Sequence, residues 1–343
     1  MKRPLFSLLC AVIFIGCAAQ PSSDAPCKVV FYNLENFFDT VDDPKTQDDE
    51  FTPRGAKQWT AERYAQKREN IERVLADIAV TDGEFPTVIG LAEVENRGVV
   101  EDLAATRRLA PAGYEIVHFD SPDERGIDVA FLYRPDRFRF EGCRPVRVRI
   151  PQLPHLRTRD LLTMWGTIEG EPFYFVVSHW PSRLGGQQAS AFKRVAVGEQ
   201  LRRMADSVAA ASPETRIVVM GDFNDDPVDI SIVEGLGACL SREELAEEQG
   251  LLFNPFAALF RTGAGTLVYN HAWNLFDNIV VSANLSDRLM QDPETGCYGH
   301  VFAPGYLLEA DGPYRGTPLR TYVGNRYMGG YSDHLPVYIR IAK

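Results

Sequence analysis

Eight apolar runs of strand length are the feature that most constrains the fold of this chain. Each run is five to eight residues long, and they lie at residues 28–32, 87–92, 127–133, 161–168, 173–178, 216–220, 278–282 and 335–341. Runs of this length are typical of β-strands. Several follow one another with no helix between them, which fits a strictly alternating doubly wound sheet poorly. The pattern instead predicts an α/β fold with mixed or antiparallel sheets.

Two longer segments have helical periodicity. The first follows Thr60, a plausible N-cap, and its apolar positions are Tyr64, Ile71, Val74, Leu75 and Ile78. The second lies within residues 189–211, with apolar positions Phe192, Val195, Ala196, Met204 and Val208. We find no internal repeat, low-complexity block or linker beyond residue 27. Residues 28–343 are therefore predicted to form a single domain.

The N-terminus has the features of an export signal. Lys2 and Arg3 precede an apolar run at residues 5–15 that is too short to span a bilayer, so we predict a signal peptide over residues 1–16. The run ends before Gly16 and Cys17, which resembles a bacterial lipobox, where the cysteine is lipidated after cleavage. Ordinary secretion with cleavage nearby is the alternative. Residues 17–27 are predicted to be a tether. Both alternatives predict an exported protein, and the lipobox predicts a lipoprotein on the periplasmic or cell-surface side of a bacterial membrane.

The cysteines do not indicate a zinc or redox site. Beyond the predicted signal and Cys17, the chain has Cys27, Cys143, Cys239 and Cys297, with no CxxC motif among them. Zinc-finger and thioredoxin-like chemistry are therefore unsupported. One or two disulfides and four free thiols are both compatible with an oxidising compartment.

The charge argues against a tight electrostatic clamp on nucleic acid. The chain has 47 acidic and 36 basic residues, a formal net charge of -11, whereas nonspecific binding depends on dense Lys and Arg. The acidity is concentrated in residues 39–50 and 225–250, which we predict to be surface loops, while residues 134–159 are rich in Arg. A hydrolase that grips phosphate through metal and histidine remains compatible with this charge.

Polar residues cluster at the ends of the apolar runs. Asn33, Glu93, His179 and Asp222 with Asn224 follow a run, whereas Asp277 and Asp333 with His334 directly precede one. A side chain at a strand end is held by a rigid sheet yet faces the cleft at its rim. Carboxylate and amide oxygens suit a hard cation such as Mg²⁺, with Mn²⁺ or Ca²⁺ as alternatives. Two histidines can then serve as a general base and as a donor to a phosphate oxygen.

These six segments, in this order, resemble the endonuclease/exonuclease/phosphatase (DNase I-like) superfamily of metal-dependent phosphoesterases. The most specific part is Gly221-Asp222-Phe223-Asn224 followed by Ser332-Asp333-His334-Leu335-Pro336. The likeness extends over residues 28–341 and is greatest to bacterial secreted nuclease-type members. It implies a four-layer αββα sandwich, in which two packed mixed or antiparallel sheets are flanked by helices and the active site lies at one end of the sheets.

The resemblance also implies a role for each strand-end residue. Asn33, Glu93 and Asp333 would form the metal site, with Glu93 as a direct ligand. Asp222 would lie near the attacking water or the leaving oxygen, and Asn224 and His179 would bind phosphate oxygens. His334, oriented by Asp277, would be the general base or a transition-state donor.

Three further residues are weaker candidates. Arg125 lies where several relatives place a phosphate-contacting Tyr, and we predict a phosphate contact there. Asp128 is predicted to hold His179, and Arg183 to contribute to phosphate binding. His271 is compatible with either a functional or a structural role. Structural roles are predicted for His118, His155, His300 and Ser332.

Three functions are compatible with this set. The first is a metal-dependent phosphodiesterase or nuclease that cleaves DNA or RNA, with membrane contact only through lipid on Cys17 and no obligate protein partner. The second is a phosphatase or phosphodiesterase of inositol phosphates or phospholipids, as in sphingomyelinases. The third is a catalytically idle binding protein, which the complete metal and histidine set disfavours because a binding module does not require it.

Overall fold

The computed structural model of this chain describes residues 26–248 and 250–343. The strands are β1 Cys27–Phe37, β2 Val88–Val94, β3 Glu115–His118, β4 Asp128–Tyr133, β5 Arg139–Val146, β6 Leu161–Ile168, β7 Glu171–His179, β8 Arg216–Asp222, β9 Ala238–Cys239, β10 Leu252–Phe253, β11 Leu267–Tyr269, β12 Ala272–Asn274, β13 Asp277–Ser282, β14 Gly299–Val301, β15 Tyr322–Val323, β16 Arg326–Tyr327 and β17 Val337–Ile341. The α-helices are α1 Ala61–Val80, α2 Arg97–Ala104, α3 Gln187–Ala211, α4 Arg242–Glu247, α5 Ala257–Arg261 and α6 Ala283–Ser286. All eight predicted strands are present, with ends within two residues of the prediction in most cases.

Two large mixed sheets form the centre of the molecule. The first has the spatial order β14-β17-β1-β2-β4-β3, and the second has the order β5-β6-β7-β8-β13-β10-β9. The pairs β1–β2 and β7–β8 are parallel, whereas β17 and β13 run antiparallel to β1 and β8 respectively. The prediction of mixed sheets is confirmed.

Alternation along the strands separates the layers. In β1, Val29 and Phe31 face the second sheet, whereas Val30 and Tyr32 lie in the apolar cluster under α1 and α2. On the second sheet, Val218 faces the first sheet, while other side chains pack against α3. The order is therefore helices, sheet, sheet, helix, which confirms the four-layer sandwich.

The predicted N-cap of α1 is confirmed, whereas the predicted buried face of α3 is not. Thr60 caps α1 by accepting a hydrogen bond from the Arg63 amide, as expected. In α3 the buried face is rotated from the prediction, since Phe192 is 38% exposed. The reason is a close approach at Gly198, where a Cβ would lie 2.4 Å from the Ser231 carbonyl oxygen. Small residues let α3 dock there, and the larger apolar side chains move to its flank.

The prediction that residues 225–250 form a surface loop is wrong for its first part. Asp225 and Asp226 are buried beside the guanidinium groups of Arg183 and Arg194. Buried carboxylates require such partners, because the interior does not solvate an isolated charge. The acidity of this segment is therefore partly internal and neutralised.

Several N-terminal predictions lie outside the described residues, namely the signal peptide over residues 1–16, Cys17 and most of the tether. Cys27, predicted as the end of the tether, is the first residue of β1. It and the other three cysteines of the described chain are free, and burial raises the pKa of the Cys27 thiol to about 11. Among the described residues, no helix is long and apolar enough to cross a membrane.

Candidate active site

The topology brings the predicted strand-end residues to one edge of the sandwich. In the second sheet, Asp222 is paired with both His179 and Asp277, so β7, β8 and β13 meet at one point. In the first sheet, Asn33 on β1 lies beside the end of β2, which carries Glu93. The loop entering β17 closes the group, because the Ser332 hydroxyl donates to the Asn33 carbonyl oxygen at 2.7 Å.

Asp222 is the centre of this site. Its Oδ2 atom lies 3.0 Å from Asn33 Nδ2, 3.4 Å from His179 Nε2 and 3.8 Å from His334 Nε2. Its Oδ1 atom accepts the Asn224 amide at 2.9 Å. Burial, with further repulsion from other carboxylates, raises the pKa of Asp222 to about 7 although His334 opposes the shift. This carboxylate therefore lies where a positive charge would be strongly stabilised.

His334 forms a charge-assisted pair with Asp277. Its Nδ1 atom is 2.7 Å from Asp277 Oδ2, and the Asp277 side chain is fully buried. Burial opposes a charge on His334, but the carboxylates of Asp277 and Asp222 outweigh it and raise its pKa well above the ordinary value. The pair leaves Nε2 of His334 directed toward Asp222, as the sequence-based assignment requires.

His179 is held as a neutral ring. Burial, followed by the charges of Arg159 and Arg125, lowers its pKa well below the ordinary value. Its Nδ1 atom is buried with no hydrogen-bond partner among the described residues, while Nε2 faces Asp222. A neutral imidazole can donate from one nitrogen only, so this ring is suited to a single directed hydrogen bond.

The predicted pairing of Asp128 with His179 is wrong. Asp128 Oδ2 lies 3.1 Å from His118 Nε2, and Oδ1 accepts the Ser121 amide at 2.8 Å. His118 is on β3, which pairs directly with β4 in the first sheet, whereas His179 belongs to the second sheet. Asp128 thus fixes the loop that leads to Arg125.

The prediction that Arg183 binds phosphate is also wrong. It is only 6% exposed, and its guanidinium is surrounded by Asp225, Asp226 and Asp229. All of its charge is balanced by these carboxylates, so it does not face the cleft as a free cation. Arg125, in contrast, is half exposed at the rim, 3.6 Å from Glu93 Oε2, in a position suited to a phosphate contact.

The three predicted metal residues differ in the contacts that their side chains already make. Asn33 uses both ends of its amide, since Oδ1 accepts the Glu35 amide and Nδ2 donates to Asp222. It therefore orients Asp222, and its Oδ1 atom keeps one lone pair beyond the bond from the Glu35 amide. Asp333 is paired with Arg320. Glu93 accepts the Asn36 amide at 2.8 Å and has a left-handed φ of 60° at a bulge in β2. Such strain in a non-glycine residue is typical of functional sites.

The donor set fits a divalent cation. One ligand atom each from Asp222, Asp277 and His334 lie within 4.8 Å of one another, and all three residues are buried. The proximity of Glu93 contributes to the raised pKa of Asp222. A divalent ion at the predicted metal residues Glu93 and Asp333 would offset this repulsion, and carboxylate oxygens are the donors that Mg²⁺, Mn²⁺ and Ca²⁺ prefer.

Sequence reasoning missed the support behind this site. Lys67 of α1 is buried and donates to Thr321 Oγ1 and to the Tyr331 carbonyl oxygen, each at 2.6 Å, while Asn70 donates to the carbonyl oxygens of Gly329 and Gly330. These bonds hold the segment that precedes Asp333. A signal was present, because Lys67 and Asn70 fall on the face of α1 that also carries Ile71 and Val74.

The remaining histidines lie away from the central group. His271 is exposed at the tip of the β11–β12 hairpin, with a left-handed φ of 64°. His155 is exposed in a loop, and His300 stacks on Tyr338 with 4.5 Å between ring centroids. The structural roles predicted for His118 and His300 agree with these contacts.

Comparison with known proteins supports the family resemblance found in the sequence. The family model described as "Endonuclease/Exonuclease/phosphatase family" matches residues 28–343. No curated protein sequence matches the chain significantly.

Solved structures are similar over nearly the whole chain at low identity. One is D. rerio TDP2 complexed with single strand DNA product, with 16% identity, TM-score 0.54, and coverage of 93% of this chain and 100% of that one. A second is the human Nocturnin catalytic domain with bound sulfate anion, with 15% identity, TM-score 0.51, and coverage of 92% and 94%. A third is a Bacteroides thetaiotaomicron mannosyl-6-phosphatase, with 16% identity, TM-score 0.52, and coverage of 92% and 100%. At this identity the likeness shows a shared fold.

Proposed function

Because this chain belongs to the endonuclease/exonuclease/phosphatase family, we propose that it is a divalent-metal-dependent phosphoester hydrolase. The observation that carries the proposal is Asp222, a buried carboxylate flanked by His179 and His334, with Asp277 behind the second histidine. A binding protein does not require a directed His–Asp pair against a second carboxylate. Such a group suits phosphoryl transfer, which depends on positioning and on neutralising charge.

The side chains divide the work of hydrolysis among them. His334, charged and held by Asp277, donates from Nε2 to a phosphoryl oxygen on which negative charge develops. Asp222 orients the attacking water and accepts its proton, since its buried carboxylate lies between Asn33, His179 and His334. His179 and Asn224, which both lie beside Asp222, donate to phosphate oxygens. The bound metal would supply charge neutralisation and Lewis acidity at the phosphate.

We further propose a phosphodiester substrate, with nucleic acid as the first candidate. Arg125 at the rim offers a cationic contact for a phosphate oxygen beside the metal site. One similar structure contains a single-strand DNA product. A half-exposed cation at the rim suits a substrate that extends beyond the cleft, as a chain of phosphodiesters does.

A small phosphate ester is the second candidate, and the acidic segment at residues 39–50 favours it. Asp39 accepts a hydrogen bond from Asn96 at 3.0 Å, and the segment contacts the Arg125 loop through Gln47 and Glu124. Carboxylates beside the cleft repel an extended polyanion. One similar structure is described as a sugar phosphatase.

A substrate panel tests the proposal. Purified protein is incubated with Mg²⁺ or with chelator on supercoiled plasmid, RNA, bis-p-nitrophenyl phosphate, sphingomyelin, and inositol and sugar phosphates, with His334→Asn as the control. We expect metal-dependent cleavage of diesters that His334→Asn loses. Intact plasmid and RNA with release of phosphate from a monoester would overturn the nuclease proposal. No turnover of any phosphoester would overturn the hydrolase proposal.

We also propose export as a lipoprotein, on the basis of the lipobox-like Cys17. The test is fractionation of cells that express the wild type or Cys17→Ser. We expect the wild type in the membrane fraction and the variant in the soluble exported fraction. Equal distribution of the two proteins would contradict an anchor on Cys17.

A further inference from the structure

We infer that Arg183 is a positioning residue that locks together the three strand ends carrying His179, Asp222 and Asp277. The inference rests on the proposed hydrolysis at this site. The Arg183 guanidinium is buried and does not face the cleft. In this inference it sets the relative positions of the strand ends that carry the site's side chains.

The first contacts join the end of β7 to the turn after β8. Arg183 lies four residues after His179, and its Nε atom donates to the Asn224 carbonyl oxygen at 2.9 Å. The Nε atom also lies 3.2 Å from Asp225 Oδ1. A shift of either strand end relative to the other would break these bonds.

The next contacts reach β13. The Nη1 atom of Arg183 lies 3.5 Å from Asn274 Oδ1, and the guanidinium carbon is 4.3 Å from the centroid of the Phe276 ring. Phe276 directly precedes Asp277. Asp226 provides a second connection from Arg183 to the segment before β13, because it contacts Arg183 at 3.4 Å and accepts the Leu275 amide at 2.7 Å.

The charges around Arg183 explain why a planar guanidinium is needed. Asp225, Asp226 and Asp229 each have an oxygen within 3.4 Å of its Nη2 atom. Asp225 is shared with Arg194, which lies 2.7 Å away. A guanidinium offers five donors in a fixed plane, whereas a lysine ammonium cannot contact Asn224, Asn274 and these carboxylates together.

The contacts of Arg183 stabilise a residue with a strained backbone. Asn224 has a left-handed φ of 53°, and its side chain donates to the Trp180 carbonyl oxygen at 3.0 Å. Such a conformation persists only where surrounding contacts over-determine it. Without the bond from Arg183, Asn224 can relax and move away from the phosphate position, and Asp222 loses the amide that orients Oδ1.

Steady-state kinetics on bis-p-nitrophenyl phosphate with Mg²⁺ test the inference. The variants are Arg183→Met and Arg183→Lys, and the matched control is Arg134→Met, which removes a buried, ion-paired arginine at the end of the first sheet remote from Glu93. We expect kcat to fall about 100-fold in Arg183→Met with little change in KM, because small misplacements of reacting groups have effects of this size. Arg183→Lys should recover only part of the loss.

Two further readouts separate positioning from general damage. In Arg183→Ala, guanidinium chloride at low, non-denaturing concentration should restore part of kcat, whereas sodium chloride at equal ionic strength should not. Imidazole ¹⁵N spectra, assigned with His179→Gln and His334→Gln, should show shifted His179 and His334 signals in Arg183→Lys and unchanged signals in Arg134→Met.

The outcomes distinguish this inference from the proposed function. If the wild type hydrolyses the diester and Arg183→Met retains its kcat, the inference that Arg183 positions the site is wrong. If the wild type hydrolyses no phosphoester, the proposed function fails, and the imidazole spectra still decide whether Arg183 positions the two rings. Unchanged spectra in folded Arg183→Lys would overturn the inference independently of activity.

Discussion

Asp277 shows how one buried carboxylate determines the state of a neighbouring side chain. It is fully buried, its Oδ2 atom bonds His334 at 2.7 Å, and its Oδ1 atom has no partner among the described residues. A carboxylate in this position sets the orientation of the ring and favours its charged form. His334 therefore depends on a residue that substrate would not touch.

Asp277→Asn should lower kcat about 100-fold or more, because the amide neither holds the imidazolium charge nor keeps the ring orientation. The measurement is the metal-dependent hydrolysis rate of bis-p-nitrophenyl phosphate, with thermal unfolding to verify the fold. Asp136→Asn, at a half-exposed carboxylate paired with the buried Arg134, is the control and should retain the rate. An active Asp277→Asn would show that the pair has no part in the chemistry.

His300 gives a prediction for stability against pH. Burial and the charge of Arg340 lower its pKa from 6.5 to about 4, although Asp292 opposes the shift. The unfolded chain then binds a proton that the folded chain does not, so stability present above about pH 6.5 is lost as the pH falls toward about 4.

His300→Phe should remove this part of the acid sensitivity, because phenylalanine retains the stack on Tyr338 and cannot titrate. The measurement is the free energy of unfolding in urea at several pH values for the variant and the wild type. The two curves should diverge increasingly below about pH 6.5. Parallel curves would mean that His300 has a similar pKa in the folded and unfolded states.

Among the elements, helix α1 does more than cover the first sheet. Its buried face combines apolar residues, which pack under β1 and β2, with Lys67 and Asn70, which bind backbone carbonyls of the segment before Asp333. The same helix thus builds the core and holds one wall of the site. A polar residue on an otherwise apolar helical face is the local sign of this second task.

Asn70→Ala should lower the free energy of unfolding by about 1–3 kcal/mol, because the carbonyl oxygens of Gly329 and Gly330 lose their donor in a poorly hydrated position. Urea unfolding measures the change, and Glu69→Ala on the exposed side of α1 is the control. If Asn70→Ala were as stable as the control, the bonds to this segment would contribute nothing net.

At the scale of the whole molecule, a large apolar cluster joins the two sheets. Phe175 is fully buried in the cluster between them, with ring centroids 6.5 Å from Phe131 and 5.6 Å from Phe138. Since the active site lies where the two sheets end, their relative position also sets the distance from Asn33 to Asp222. Packing between the sheets therefore also sets the geometry of the candidate site.

Phe175→Ala should therefore destabilise the protein by about 3–5 kcal/mol, the usual cost of emptying an aromatic position in a close-packed core. Phe119→Ala, at a side chain that is 41% exposed, should have a much smaller effect. Urea unfolding of both variants measures the difference. Equal losses would indicate that the sheets do not depend on this contact.

The sequence by itself determined the positions of the eight main strands and the polar residues at their ends. Apolar runs and the polar residues that flank six of them are local features, so they can be read without knowing the fold. Order and spacing then identified the family, and the sandwich followed from the resemblance.

Only the tertiary structure decided which side chains are partners. Asp128 binds His118 and not His179, and Arg183 is enclosed by Asp225 and its neighbours although its sequence position beside His179 suggested a phosphate contact. A buried charge takes the opposite charge that packing brings nearest, which depends on the docking of the sheets and on where the loops cross. The chemistry of each residue was therefore readable from the sequence, whereas its partner was set by the packing of distant segments.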